Sequence, residues 1–191
     1  MRYRILFTLL VTLSVAPCVA RAQSRTEKHK FEAGAVLTVL DMRDATGSKP
    51  GGVGVRFGYN FHEYAAFDSE LAHYPENSSN NFGETQGLFG VKAGKRFGKI
   101  PVGLFVKARP GFVKLGNDVT RYNPTFEATR FALDLGGVLE VYPSERTIIR
   151  IDHGDTIISF GDGLINSGTQ PPRRLGTTHN RQTTFGFGFR F

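Results

Sequence analysis

The sequence predicts an all-β protein, an eight-stranded antiparallel up-and-down transmembrane β-barrel, and three observations point to this fold class. The chain has 191 residues, with 23 glycines, 17 phenylalanines and no tryptophan, and its apolar stretches alternate with polar residues at period two. The connections between these stretches are alternately long and short. An N-terminal segment has the pattern of an export signal.

The first 22 residues predict a cleaved signal peptide. Arg2 and Arg4 precede an apolar core, 5–15, which is too short to span a bilayer as a helix. Ala20-Arg21-Ala22 then fits a cleavage site, so we expect the barrel domain to be 23–191. This mature chain would carry 21 basic and 17 acidic residues and no cysteine, which excludes a disulfide scaffold. Its mild, dispersed positive charge does not indicate a nucleic-acid partner.

Eight strand-like segments follow. The connections after the first, third and fifth segments have ten or eleven residues, and those after the second, fourth and sixth have two or three. The seventh connection, 155–180, is the longest. Outer-membrane barrels show this alternation because their short turns face the periplasm and their longer loops face outward. The predicted strands are 30–40, 52–61, 64–74, 85–97, 101–115, 126–142, 146–154 and 181–191.

The alternation also separates two faces of the predicted sheet. In the last strand Phe185, Phe187, Phe189 and Phe191 share one face, which is an aggregation hazard in water but favourable against hydrocarbon. In the other strands the apolar residues share one parity and the ions share the other. We therefore expect the apolar parity to face lipid and the ions to face inward. The predicted interior ion network is Glu32, Arg56, Asp68, Glu70, Lys92, Arg96, Lys107, Arg109, Arg130, Asp134, Glu140, Arg150 and Asp152.

This interior set contains seven bases and six acids. Such a near-neutral balance is what a narrow interior requires, because each buried charge needs a partner. Arg109 with Glu70 and Arg130 with Asp134 illustrate the pairs we expect. An eight-stranded barrel is just wide enough for its side chains to fill it, so no open pore is predicted.

Aromatic residues gather near both ends of the predicted strands, as they do at the two interfaces of a bilayer. The short-turn end would carry Phe31, Tyr59, Phe61, Tyr64, Phe97, Tyr142 and Phe191. The long-loop end would carry Tyr74, Phe82, Phe112, Tyr122, Phe126 and Phe160.

The export signal, the eight amphipathic strands and the terminal run 184–191 (TFGFGFRF) resemble the small bacterial outer-membrane β-barrels of the OmpA transmembrane-domain and OmpX-like type. The resemblance to this "outer membrane protein beta-barrel domain" group covers the whole mature chain. It implies localisation in the outer membrane and contact with its lipid and lipopolysaccharide. It also implies that Phe185, Phe187, Phe189 and Phe191 form the signal that the barrel-assembly machinery recognises.

No catalytic residue, cofactor site or metal site is predicted. His153 and Ser159 lie about 20 Å apart if their segment is extended, and His179, Asp162 and Ser167 would meet only through the fold of the last loop. We expect a monomeric, non-enzymatic barrel with a structural or surface-interaction role through its extracellular loops. The alternatives are a narrow small-solute channel, an exported soluble lipid-binding barrel of the lipocalin type and, least favoured, a lipid A-modifying enzyme.

Deletion of Phe191 is expected to block assembly while changing the stability of the folded barrel little. The unassembled chain should accumulate in the periplasm, which cell fractionation measures. Normal amounts of the deleted chain in the outer membrane would contradict the assembly-signal interpretation.

Overall fold

The computed structural model describes residues 29–42, 49–75, 83–97, 100–115, 128–165 and 173–191. The predicted signal peptide, 1–22, lies outside these residues. All regular secondary structure in them is β, and no helix among them is long and apolar enough to cross a membrane. The strands are β1 Phe31–Asp41, β2 Gly51–His62, β3 Ala65–Tyr74, β4 Glu84–Phe97, β5 Val102–Leu115, β6 Ala128–Val141, β7 Thr147–Ile165 and β8 Arg173–Arg190.

The eight strands form one closed barrel in which each strand pairs with its neighbours in the sequence. β1 closes on β8, and two backbone hydrogen bonds of 2.9 Å join Phe31 and Phe191. A circuit that follows the register partners from Phe31 returns to β1 at Asp41, ten residues further along the strand. This stagger tilts the strands and sets a lumen that side chains alone can fill.

The alternation of short and long connections is confirmed. Two to five residues separate neighbouring strands at one end of the barrel, and seven to twelve separate them at the other. The first six strands begin and end within two residues of their predicted bounds. The predicted loop 155–180 is wrong, because β7 and β8 extend through most of it as a long hairpin. The glycines and prolines of 155–180 suggested a loop. In this segment polar side chains also lie on the outward face and apolar ones on the inward face, so the alternation was not recognised as that of a strand.

The lipid-facing wall is apolar where the sequence predicts it. Phe185, Phe187 and Phe189 on the outside of β8, and Phe191 directly after it, are each more than half exposed. At the short-turn end, Tyr142 turns inward, and the predicted aromatic belt is otherwise exposed: Phe31, Tyr59, Phe61, Tyr64, Phe97 and Phe191.

The belt predicted at the long-loop end is partly wrong. Tyr74 and Phe160 are buried inside the barrel, where Tyr74 makes hydrogen bonds. Phe112 is partly exposed, and its ring packs over Gly87 on the outer wall. Phe82, Tyr122 and Phe126 lie outside the described residues.

Ions inside and apolar side chains outside are the reverse of the arrangement in a soluble lipid-binding barrel. That alternative required an apolar binding chamber and a charged outer surface. Large apolar side chains instead cover the outer wall, and charged side chains fill the lumen around its middle. The lipocalin-type alternative is therefore wrong.

Val55→Arg should lower the free energy of unfolding by about 2–4 kcal/mol, since Val55 is 60% exposed on β2 between Ala35 and Leu71. Reversible urea unfolding in lipid vesicles measures this change, with circular dichroism as the signal because the chain has no tryptophan. A loss below about 0.5 kcal/mol would place Val55 away from lipid.

Leu135→Arg makes the same test on β6, where Leu135 is 40% exposed on the outer wall. The free energy of unfolding should fall by about 2–4 kcal/mol in the same assay, because the guanidinium would be placed against lipid. A loss below about 0.5 kcal/mol would show that the outward parity of β6 is wrong.

Candidate functional site in the barrel interior

The alternation of the strands directs the predicted ions into the lumen. Of the thirteen residues, eleven are at most 4% exposed, while Arg96 and Arg130 are partly buried. Arg190 of β8 also faces inward, and its Nε lies 3.7 Å from Glu32 Oε1. Arg190 is not in the predicted ion set, although its parity, opposite to that of the phenylalanines, indicates an inward position.

A lower cluster occupies the short-turn end of the lumen. Lys92 Nζ lies 2.9 Å from Glu32 Oε2 and 2.5 Å from Glu140 Oε1. Arg96 donates from Nη2 to Glu32 Oε1 at 3.2 Å and to Asn60 Oδ1 at 2.8 Å. These contacts join β1, β2, β4 and β6, so they bridge strands that are not neighbours. The lower cluster consists of Glu32, Asn60, Lys92, Arg96, Glu140, Tyr142 and Arg190.

Tyr142, in the turn after β6, is the member of this cluster at its short-turn end. Burial and the Glu140 carboxylate raise the pKa of the Tyr142 phenol above its ordinary value, so the hydroxyl keeps its proton. The hydroxyl donates to Glu140 Oε2 and accepts from Arg96 Nε at 2.8 Å. The Arg190 guanidinium lies 4.8 Å from the centre of the Tyr142 ring. The short-turn mouth of the lumen is thereby filled by aromatic and guanidinium groups.

A middle cluster of seven ions lies above the lower one. Arg150 binds both Asp68 oxygens, at 2.7 and 2.8 Å, and also contacts Asp152. Arg109 donates to Asp134 at 2.8 Å and to both Asp68 and Glu70 at 3.1 Å. Each arginine therefore joins carboxylates from two strands. The middle cluster is Asp68, Glu70, Lys107, Arg109, Asp134, Arg150 and Asp152.

The predicted pairs have different outcomes. Arg109 and Glu70 are in contact, whereas Asp134 pairs with Arg109 and with Lys107, whose Nζ lies 2.8 Å away. In the part of the chain that the structure describes, Arg130 forms no ion pair with Asp134. Arg130 lies near the long-loop end of β6, and register could not be inferred from the sequence.

Uncharged groups continue the packing towards the long-loop end. The Gln86 and Gln182 amides exchange reciprocal hydrogen bonds of 3.1 Å across the lumen. Tyr74 donates to Gln86 at 3.0 Å, Thr156 donates to Gln182 at 2.6 Å, and Thr184 donates to Thr38 at 2.9 Å. We call this set of side chains the amide layer.

An apolar layer lies next to the amide layer at the long-loop end. This layer was not predicted, because apolar side chains were expected on the lipid-facing parity and only small, polar and charged residues on the inward one. Glu84, at the start of β4, is buried there, and its two carboxylate oxygens accept no hydrogen bond from the residues that the structure describes. The apolar layer is Leu40, Met42, Ala72, Leu88, Val113, Ala132, Ile158 and Phe160, packed in one cluster with Tyr74.

His153 and His179 lie elsewhere, on the outer wall. His179 Nδ1 lies 2.5 Å from Asp155 Oδ2, and His153 Nδ1 lies 2.9 Å from Thr183 Oγ1. Ser167 and the side chain of Asp162 lie outside the described residues, so that combination is not tested. Among the described residues there is no group of three potential metal ligands.

The sequence profile of the "Outer membrane protein beta-barrel domain" family matches residues 7–191. The chain belongs to this family. No curated protein sequence gives a significant match. As a member of the family, the barrel lies in the outer membrane, and the predicted fold and family resemblance are confirmed.

Solved structures share this fold. The N-terminal β-barrel domain of Pseudomonas aeruginosa OprF has a TM-score of 0.63 at 10% identity, over 87% of this chain and 100% of that one. P. aeruginosa OprH gives 0.55 at 16% identity, over 85% and 99%. Neisserial surface protein A gives 0.54 at 14% identity, over 84% and 94%. At these identities the likeness shows the fold of the outer-membrane barrel alone.

Asp68→Ala should lower the free energy of unfolding by about 3–5 kcal/mol, because it leaves Arg150 and Arg109 short of a buried carboxylate. Urea unfolding in vesicles measures the loss. Glu145→Gln, in the exposed turn before β7, is the control and should leave stability nearly unchanged. Equal effects of the two changes would show that the interior pairs do not hold the barrel together.

Proposed function

We propose that this outer-membrane barrel is a sealed, non-enzymatic protein with a structural or surface-interaction role through its extracellular loops. The observation that carries the proposal is the filled lumen. Two clusters of mutually paired ions, an amide layer and an apolar layer follow one another from the short-turn end to the long-loop end. An ion crossing the barrel would have to separate several buried pairs in turn, each of which is costly to break.

The surroundings of the interior carboxylates support the non-enzymatic part of the proposal. Asp68, Glu70, Asp134 and Asp152 are buried, and each contacts at least one guanidinium or ammonium group. A general base must be within reach of a substrate proton, and these carboxylates are enclosed by other protein side chains. Their arrangement suits charge neutralisation.

The contacts of the interior also support a monomer. The two ion clusters are completed by side chains of one chain, so the lumen needs no second copy.

The outward position of Phe185, Phe187 and Phe189 on β8 supports the proposed role of the C-terminal strand as an assembly signal, because these rings are accessible on the outer wall. The long connections then remain as the extracellular surface for partners.

The purified barrel in a planar lipid bilayer should show no steady, large, porin-like conductance. Small, rare openings are expected when an ion pair separates for a short time. A stable channel of nanosiemens scale would overturn the sealed-lumen proposal and support the narrow-channel alternative.

The double variant Arg109→Ala/Arg150→Ala should open more often, because it shortens two long side chains that span the middle cluster. Its openings should favour cations, since Asp68 and Asp152 lose their guanidinium partners. Lys95→Ala removes a cation from the outer wall and is the control, with conductance expected to stay at the native level. Native-like conductance of the double variant would show that the two arginines do not close the lumen.

A further inference from the structure

The outer wall turns polar earlier on β7 and β8 than on the strands beside them. On β6, Leu135 and Phe131 are 40% and 58% exposed, but their register partners on β7 are Asp155 and Ser159. On the other side, Val39 of β1 is 46% exposed beside Thr183 of β8. The polar side chains that lie between these apolar neighbours are His153, Asp155, His179, Arg181 and Thr183.

Four of these side chains, together with Gly154, line an open recess of about 530 Å³, which we call the outer recess: His153, Asp155, His179 and Arg181. Asp155 lies eight residues beyond Thr147, the first residue of β7. For a strand tilted by about 40°, this is about 20 Å along the membrane normal. The apolar band of such barrels is about 25 Å tall, so the outer recess lies at the edge of the outer leaflet.

In this recess Arg181 lies beside two aspartates that are already in contact with other side chains. Its register partners are Asp155 on β7 and Asp41 on β1. The His179 ring engages Asp155 at 2.5 Å, and Lys49 Nζ lies 3.3 Å from Asp41. Among the described residues, no carboxylate lies within ion-pairing distance of Arg181. A guanidinium at this depth is stabilised by an anionic partner.

His153 supplies a second ring nitrogen to the recess. Its Nδ1 lies 2.9 Å from Thr183 Oγ1, and in the tautomer in which the hydroxyl donates to Nδ1, Nε2 carries the ring hydrogen and can donate into the recess. A guanidinium fork beside an imidazole N–H is a donor set that suits phosphate oxygens. Asp155 Oδ2 lies 2.5 Å from the His179 ring, so this carboxylate oxygen already has a protein partner.

We propose that the outer recess binds a phosphate group of an outer-leaflet lipid, with Arg181 as the charged ligand and His153 as the second donor. The phosphate is the anion that a lipid headgroup presents at this depth. This inference goes beyond the sealed-barrel role and does not depend on it, because it concerns the outer wall and not the lumen.

Native mass spectrometry of the barrel in detergent tests the proposal with three probes. These are a short-chain phosphatidic acid, the phosphatidylcholine with the same acyl chains, and inorganic phosphate. The barrel should bind phosphatidic acid more tightly than either of the others. Arg181→Gln should weaken that binding at least about tenfold, and His153→Phe by a smaller factor. Lys95→Gln removes an exposed outward cation at the short-turn end and should leave the affinity unchanged.

Equal affinities of the Arg181→Gln and Lys95→Gln variants for phosphatidic acid would overturn the proposal. Equal binding of phosphatidylcholine would overturn it in favour of retention by the acyl chains. Efficient displacement by inorganic phosphate would indicate a free-anion site, and a dimer that Arg181→Gln abolishes would assign the recess to a second copy. If Arg181→Gln does not assemble, Arg181→Lys keeps the charge without the fork and should bind less tightly than the native barrel; native affinity would count against the proposal.

Discussion

The constraint on which the rest of the structure depends is charge neutrality in a lumen without bulk water. The outer wall must be apolar to meet hydrocarbon, so a strict alternation sends the polar half of every strand inward. Eight strands enclose a space that these side chains fill, and burying an ion without a partner costs several kcal/mol. The ion clusters are therefore a condition for closing the barrel.

The charges meet this constraint between strands and not within each one. β3 contributes only acids to the interior ion set, Asp68 and Glu70, and β5 contributes only bases, Lys107 and Arg109. Long guanidinium side chains then reach beyond the adjacent strand, as Arg109 does in contacting β3 and β6. A slip of one residue in any pair would turn these ions towards lipid, so the charges also specify the register.

The sequence alone predicted which face each of these ions would take, because period-two alternation needs only the identity of neighbouring residues. It did not predict which ions meet. Arg109 with Glu70 was right and Arg130 with Asp134 was wrong, because a pairing depends on the stagger of the whole closed sheet. Arg130 lies too near the long-loop end, whereas Lys107 lies close enough to Asp134 to take that place.

The alternation was also misjudged near the long loops, for a different physical reason. The outer wall meets hydrocarbon only along part of each strand, and beyond it the wall meets headgroups and water. There the same period two continues with its polarity reversed, so that His73 and Thr85 form a hydrogen bond outside while Leu88 and Ile158 pack inside. Period two carries no information about where the bilayer ends, which is why 155–180 was expected to be a loop.

The β7–β8 hairpin shows that this reversal need not occur at one depth around the barrel. On its inner face the hairpin carries Thr156, Asn180 and Gln182, which are uncharged, and on its outer face it carries Asp155 and Arg181. The charged groups of this segment thus lie on the lipid side while β6 beside it is still apolar. Bilayer thickness alone would favour apolar residues at these positions. The polarity of this part of the wall therefore follows from what the side chains contact there. A lipid phosphate would supply the partner that the described residues do not offer to the Arg181 guanidinium in the recess.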